Sequence, residues 1–220
     1  MKNYAVDIEH AVTISSGTYF LEGILYIPEK ARGIVLFVHG SGSSRFSKRN
    51  QYVAQVLNAA NHATLLFDLL TPEEDVIDDI TREFRFDINL LALRLLDVAH
   101  WCARELASYH LPLGYFGAST GGGAALVAAA REANLVKAVV SRGGRPDLAD
   151  DFLPHVKAPT LLIVGGNDEV VIGLNRSAAS QMTCIYQLKI VPRATHLFEE
   201  QGTLDEVARL AKEWFDRYLI

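Results

Sequence analysis

Short apolar segments alternate along the chain with segments in which apolar residues recur every three or four positions. Continuous apolar runs of this kind are typical of strands buried inside a parallel sheet. The first two segments are longer and meet at Ser16-Gly17, which indicates a hairpin. Strands are therefore predicted at residues 6–15, 18–27, 34–38, 64–67, 113–116, 135–140, 160–164 and 188–191.

Helical periodicity occupies most of the intervals between these strands. Apolar residues repeat at three or four positions from Ile88 to Leu106, which predicts a long amphipathic helix. A run of alanine and leucine after residue 123 favours a helix through its high propensity. The acid-rich segment 71–86 shows no clear period and is predicted to be irregular. Helices are predicted at residues 52–60, 88–106, 124–130, 174–182 and 204–219.

An opening hairpin followed by alternating strands and helices predicts one α/β domain over residues 1–220. Its sheet should be mostly parallel and doubly wound, with helices on both faces, because each crossover returns the chain in the same direction. Ligand sites in such sheets lie at the carboxyl ends of the strands. Polar residues that follow the strands directly are therefore the candidates for a functional site.

Composition narrows the partners this domain can have. Half of the 220 residues are hydrophobic, and the formal net charge of −5 disfavours a nucleic-acid partner. No apolar run reaches membrane-spanning length, and the amino terminus resembles no signal peptide, so a cytoplasmic protein is expected. Cys102 and Cys184 lack metal-type spacing and are expected to be buried thiols in predicted helices. Neither a metal nor a cofactor is expected.

The pentapeptide Gly117-Ala118-Ser119-Thr120-Gly121 separates a predicted strand from a predicted helix. A serine at such a sharp turn is held in a strained conformation with its hydroxyl projecting outward. Glycines two positions away on either side leave room for the turn. The helix directs its first N–H groups and positive dipole end toward whatever the serine attacks. Ser119 is therefore predicted to be a nucleophile.

The same glycines allow other interpretations. Gly117, Gly121 and Gly123 also form the G-x-x-x-G-x-G turn with which short-chain dehydrogenases bind a dinucleotide. That turn should follow the first strand and be accompanied by Tyr-x-x-x-Lys, whereas here it lies in mid-chain and Tyr186 and Lys189 are one position too close. The dinucleotide interpretation is therefore disfavoured. An ordinary glycine-rich turn remains an alternative for the motif alone.

Three further polar positions follow predicted strands. Ser41 belongs to the His-Gly-Ser sequence after strand 34–38, Asp168 follows strand 160–164, and His196 follows strand 188–191. All three should lie at the same sheet edge as Ser119. His196 is the candidate base, because His39 is expected to shape its loop rather than to titrate and the remaining histidines lack such a placement, namely His10, His62, His100, His110 and His155. Asp147 is the alternative carboxylate.

The chain order Ser119, Asp168, His196 after a G-x-S-x-G turn resembles the α/β-hydrolase family over essentially the whole chain. The resemblance is closest to the small dienelactone-hydrolase-like and carboxylesterase members. It implies that Ser119 attacks a carbonyl, that His196 transfers the proton and that Asp168 orients the imidazole. It also implies that the backbone N–H groups of Ser41 and Thr120 hold the oxyanion. No large cap domain is expected, because only a turn and a short helix fit between residues 140 and 159.

Enzymes of the dienelactone type usually carry cysteine as the nucleophile, so Ser119 predicts a generic serine esterase. Its expected substrates are small or short-acyl carboxylic esters, cleaved through an acyl-enzyme. A thioesterase, an amidase or peptidase, an acyltransferase and a non-catalytic binding protein remain alternatives on this fold. Arg142, Arg82 and Arg85 are expected near the site edge, where one could bind a substrate carboxylate; pairing with neighbouring acids is the alternative. The oligomeric state is not predicted.

Overall fold

The computed structural model describes residues 4–220, so Met1 to Asn3, part of the segment considered for a signal peptide, lie outside the described residues. Its centre is an eight-stranded sheet in the order β1-β2-β4-β3-β5-β6-β7-β8. Strand β2 runs antiparallel to both its neighbours, and all the other pairs are parallel. The strands are β1 (Glu9–Ser16), β2 (Tyr19–Tyr26), β3 (Gly33–Val38), β4 (His62–Phe67), β5 (Leu113–Ala118), β6 (Val136–Arg142), β7 (Thr160–Gly165) and β8 (Tyr186–Val191).

Helices cover both faces of this sheet. One apolar core lies between the sheet and α3, α4 and the end of α5, and the other between the sheet and α1 and α6. This arrangement confirms the predicted three-layer, mostly parallel α/β fold opened by a hairpin. The helices are α1 (Lys48–Ala59), α2 (Pro72–Thr81), α3 (Ile88–Glu105), α4 (Thr120–Arg131), α5 (Glu169–Ala179) and α6 (Thr203–Tyr218), with 3-10 segments at Ala107–Tyr109 and Pro146–His155.

Burial along the strands accounts for the pattern in the sequence. Every residue of β3, β4, β5 and β7 is buried, because helices cover both faces of these central strands. Strands β1 and β2 alternate between buried and exposed residues, as expected for the less covered end of the sheet. Between β6 and β7 the chain forms only the 3-10 segment, in the interval where no large cap was expected.

The prediction of an irregular segment at 71–86 is wrong, because α2 occupies much of it. Thr71 and Glu74 form a reciprocal capping box, and Pro72 is the first helical residue. The helix lacks the usual apolar inner stripe: its buried residues are Glu74 and Asp78, whereas Ile80 is 83% exposed. Since the polar face points inward, a search for apolar periodicity could not find it. The T-x-x-E cap was the available signal.

Two smaller expectations also need correction. Helix α5 begins at Glu169 and ends at Ala179, so it starts five residues before the predicted 174 and leaves Cys184 in the loop before β8. Cys184 is half-buried there, whereas Cys102 is buried in α3 as predicted. Within residues 4–220, none of the helices combines the length and apolar character that crossing a bilayer requires.

Candidate active site

Ser119 occupies the turn between β5 and α4 in a conformation that L-residues rarely adopt, with φ 51° and ψ −121°. The turn is held at both ends: the Ser119 N–H donates to the Arg142 carbonyl at 3.2 Å, and the Ser119 carbonyl accepts the N–H groups of Gly122 and Arg145. Such strain persists only where the surroundings fix the backbone. A Cβ at Gly117 would lie 2.6 Å from the carbonyl oxygen of Gly121, so glycine is required at the first flanking position.

His196 and Asp168 complete a hydrogen-bonded chain with this serine. The Ser119 hydroxyl lies 3.3 Å from Nε2 of His196, and Nδ1 of His196 lies 2.7 Å from Oδ2 of Asp168. Asp168 follows β7 and His196 follows β8, so these strand ends bring the three side chains to one edge. Asp147, the alternative carboxylate, forms a bidentate ion pair with Arg145 instead. The geometry therefore favours Asp168 as the partner of the imidazole.

One of the two backbone groups expected to hold an oxyanion already has a hydrogen-bond partner in this structure. Thr120 begins α4, and the Ser41 N–H donates to Oγ1 of Thr120 at 2.9 Å. A Cβ at Gly40 would lie only 3.1 Å from both the Ala118 carbonyl and Cβ of Ser119, so the loop after β3 packs directly on the nucleophile turn. The contact through the Thr120 side chain was not predicted, although a hydroxyl directly after the nucleophile was visible in the sequence.

His39 fixes the loop that carries Ser41. Its Nε2 accepts the Leu69 N–H at 3.0 Å, and its Nδ1 donates to the Gly40 carbonyl at 2.9 Å. The ring is buried, and burial lowers the pKa of His39, which keeps the imidazole neutral. A neutral ring can accept through one nitrogen and donate through the other. His39 thereby ties the end of β3 to the segment after β4.

A cavity of about 240 Å³ opens beside Ser119 and His196. Among the arginines considered from the sequence, Arg142 lines this cavity and is buried. Arg85 is ion-paired with Asp78 at 2.5 Å and lines a separate small cleft beside Gly40 to Ser43. Arg82 follows the last residue of α2 and has a left-handed backbone conformation. Its side chain is exposed and does not line the cavity. The structure thus brings one of the three arginines to the nucleophile.

Arg49 and Asn50, in the first turn of α1, also line the cavity, and sequence reasoning missed them. Basic residues at a helix amino terminus oppose the helix dipole, which is positive at that end. The sequence Ser-Lys-Arg-Asn at the start of a predicted helix was therefore an available signal. Its significance became clear only in the structure, where Arg142 at the end of β6 lines the same cavity.

A serine in a strained strand-to-helix turn, with a histidine and a carboxylate after later parallel strands, defines the fold and site layout of an α/β hydrolase. The dienelactone hydrolase family model matches residues 21–219, and the chain belongs to that family. The crystal structure of a dienelactone hydrolase from Anabaena variabilis is 60% identical, covers 97% of this chain and 99% of its own, and superposes with a TM-score of 0.95.

Two further relatives add context. XC6422 from Xanthomonas campestris, described as an α/β serine hydrolase without lid, shares the fold at 20% identity, with a TM-score of 0.78 over 99% of this chain and 98% of that one. A Mycobacterium tuberculosis protein named "Putative phosphoribosyl transferase" is 58% identical over 211 residues. The match covers 96% of this chain and 47% of that protein, so the chain spans about half the length of the curated relatives it matches.

Proposed function

We propose that the protein is a serine hydrolase that cleaves small or short-acyl carboxylic esters through an acyl-enzyme. The observation that carries the proposal is the hydrogen-bonded chain from Ser119 through His196 to Asp168. Membership of the dienelactone hydrolase family supports hydrolysis as the reaction class. The transferase name belongs to a relative about twice as long, and the contacts among Ser119, His196 and Asp168 favour acyl chemistry for this chain.

Each group has a defined task in the proposed reaction. The Ser119 oxygen attacks the ester carbonyl while Nε2 of His196 takes its proton, and Asp168 stabilises the resulting imidazolium through Nδ1–H. The Thr120 N–H stabilises the oxyanion together with the Ser41 N–H, which exchanges its hydrogen bond to Oγ1 of Thr120 for one to the oxyanion. Collapse breaks the bond to the alcohol, which leaves with the proton from His196. A water molecule then loses a proton to His196 and attacks the acyl carbon. The bond from that carbon to the Ser119 oxygen breaks, His196 returns the proton to this oxygen, and the acid leaves.

The size of the cavity supports short acyl groups. A volume of about 240 Å³ is below the range usual for drug-sized ligands. The 3-10 segment Pro146–His155 replaces the inserted cap that many relatives carry, so no second domain extends an acyl tunnel from this side. Hydrolysis of p-nitrophenyl acetate, butyrate and palmitate tests this part of the proposal. A preference for palmitate would contradict it.

Covalent labelling with a fluorophosphonate tests the nucleophile directly. We expect the wild type to be labelled and Ser119→Ala and His196→Ala to lose labelling, while Ser177→Ala, an exposed serine on α5, is labelled normally. Labelling that persists in Ser119→Ala would refute the assignment. A panel of matched esters, thioesters and anilides then separates the ester hydrolase from a thioesterase or an amidase, since all share the chemistry up to the acyl-enzyme.

A further inference from the structure

Arg142 is a buried cation one strand position from the nucleophile. It pairs with Ala118 across β5 and β6, and its carbonyl accepts the Ser119 N–H. The residue is 6% exposed and its guanidinium carbon lies 5.9 Å from the ring centre of Phe198. Nη2 contacts the Asn50 Oδ1 at 3.3 Å, whereas Nε has no hydrogen-bond partner within the described part of the chain. Burying such a group without a carboxylate is costly.

Other buried or half-buried arginines of the chain show the usual solution. Arg94 lies against Glu74, and Arg145 against Asp147, each in a bidentate ion pair. Among residues 4–220, no carboxylate lies within ion-pair distance of Arg142. Within the described residues, the fold therefore pairs these arginines with carboxylates but leaves Arg142, which lines the cavity beside Ser119, without one.

A second arginine increases the positive charge of the same cavity. Arg49 lies in the first turn of α1, its Nε is buried without a partner, and its Nη1 reaches only Glu199, an exposed carboxylate, at 3.2 Å. The first turn of α1 contains no acidic residue, although its dipole would favour one. Burial, with added repulsion from Arg49, lowers the pKa of Arg142 to about 10, so its charge persists at neutral pH.

The contacts of Arg142 and Arg49 give their positive charges no structural role, but the two charges suit an anionic ligand. Two arginine side chains, the amino-terminal end of a twelve-residue helix and the hydroxyl-bearing residues Ser43 and Ser47 line one cavity. Guanidinium groups bind carboxylate and phosphate oxygens in charge-assisted hydrogen bonds. An anion bound there would lie beside the acyl carbon that Ser119 attacks, so it would belong to the substrate itself.

We propose that Arg142, Arg49 and the amino-terminal end of α1 form an anion subsite, and that the substrate is an ester carrying an additional phosphate group. The inference rests on the proposed ester hydrolysis and specifies its substrate class. The two guanidinium groups match the two negative charges that a phosphate monoester approaches at neutral pH. The phosphate is therefore expected to be bound more tightly than the carboxylate.

Three acetyl esters that differ in one substituent test the subsite: para-cresyl acetate, para-carboxyphenyl acetate and the acetate of para-hydroxyphenyl phosphate. We expect kcat/KM to be higher for the anionic esters than for the cresyl ester. Arg142→Gln and Arg49→Gln should each lower the anionic-to-neutral ratio of kcat/KM about tenfold or more, the loss of one charged hydrogen bond. Arg104→Gln, an exposed arginine on α3, is the control and should keep the ratio.

Separate measurements identify the preferred anion and establish that the variants are folded. A larger ratio for the phosphate ester than for the carboxylate ester supports the proposal, whereas an equal or larger ratio for the carboxylate ester would overturn the phosphate assignment. Equal kcat/KM for all three esters, unchanged by Arg142→Gln, would overturn the subsite. Arg142→Lys keeps a charge and should retain part of the preference, which a loss of packing would not restore. Circular dichroism and fluorophosphonate labelling establish that each variant is folded.

Calorimetry with phenyl phosphate distinguishes failure of the anion subsite from failure of the proposed ester hydrolysis. Ser119→Ala, which cannot form an acyl-enzyme, should bind phenyl phosphate, and Ser119→Ala/Arg142→Gln should bind it at least tenfold more weakly. If the wild type neither reacts with a fluorophosphonate nor cleaves esters, ester hydrolysis fails, and phenyl phosphate binding still decides the subsite. If esters are cleaved but neither anion is preferred or bound, only the subsite fails.

Discussion

Gly121 lies between the turn that carries Ser119 and the loop after β3 that carries Ser41, which we propose as the oxyanion loop. Replacing Gly121 by alanine should separate the turn from this loop. A Cβ at this position would lie 2.2 Å from the Val38 carbonyl oxygen and 2.5 Å from that of His39. Carbon–oxygen contacts normally begin at about 3.3 Å, so α4 and the end of β3 must separate by about 1 Å. The neighbouring groups are backbone, which cannot rotate away as a side chain would.

The consequence for catalysis follows from where β3 ends. Val38 and His39 immediately precede the loop that presents the Ser41 N–H, and Gly121 lies next to Thr120. A displacement of about 1 Å at this junction changes the distance between the two oxyanion donors. Misplacement of this size typically costs about a hundredfold in rate. Forcing an extra methyl group into the junction should also cost about 1–3 kcal/mol of stability.

The measurement is kcat for p-nitrophenyl acetate, with the fluorophosphonate labelling rate and a urea unfolding curve for the same samples. Gly173→Ala is the matched control, because Gly173 lies inside α5 and an added Cβ there meets nothing within 4 Å. Alanine should stabilise that helix by about 0.5–1 kcal/mol and leave kcat unchanged. If Gly121→Ala kept wild-type kcat and stability, the contact between α4 and β3 would not set the oxyanion geometry.

Three further changes test other parts of the molecule. Asp168→Asn should lower kcat about a thousandfold or more, because the amide disturbs the tautomer of His196, whereas the control Asp147→Asn should keep kcat within about twofold. Arg94→Met leaves the Glu74 carboxylate buried and unpaired, so urea unfolding should show a loss of about 3–5 kcal/mol. Arg94→Met/Glu74→Gln should recover part of it, because glutamine removes the buried charge and can still accept the Thr71 N–H; no recovery would locate the loss elsewhere. Burial lowers the pKa of His62, and the hydrogen bond to Asp216 offsets only part of this, so folding keeps the ring neutral where the unfolded chain protonates it. Wild-type stability should therefore fall as the pH drops below about 6.5, and His62→Gln should reduce that slope by up to about 1.4 kcal/mol per pH unit; an equal slope in both proteins would refute the argument.

The sheet was predictable because its central strands are buried on both faces. Continuous apolar runs such as Ile34 to Val38 allow few structures other than an interior strand, and the rule that ligand sites lie at carboxyl ends then places Ser119, Asp168 and His196 together. Strand boundaries were less exact: β1 begins at Glu9 rather than at residue 6. The hydrogen bonds at the end of the hairpin determine where β1 begins, and the pattern of apolar residues does not show where these bonds form.

The remaining features depend on contacts between segments distant in sequence. Helix α2 escaped prediction because Arg94 of α3 and Arg85 stabilise its inward-facing carboxylates, and neither pairing can be read from local periodicity. The choice between Asp168 and Asp147 required the position of Arg145, whose ion pair occupies Asp147. The meaning of Arg142 likewise depended on the absence of a carboxylate partner, which only the packed structure reveals.

Ion pairs hold helix α2 against the rest of the protein, and α2 lies beside the loop that carries Ser41. The stability of this contact should therefore depend on pH. Burial alone would raise the pKa of Glu74 and Asp78, but hydrogen bonds from Arg94, Arg85 and nearby backbone N–H groups lower both. Both carboxylates therefore stay ionised at lower pH than free carboxyl groups do, and their ion pairs with the arginines are lost only when they are protonated. Protonation would remove the ion pairs that hold α2, whereas the apolar contacts of the central sheet carry no charge to lose. We therefore expect hydrogen exchange of the α2 amides to accelerate in acid before that of the central strands.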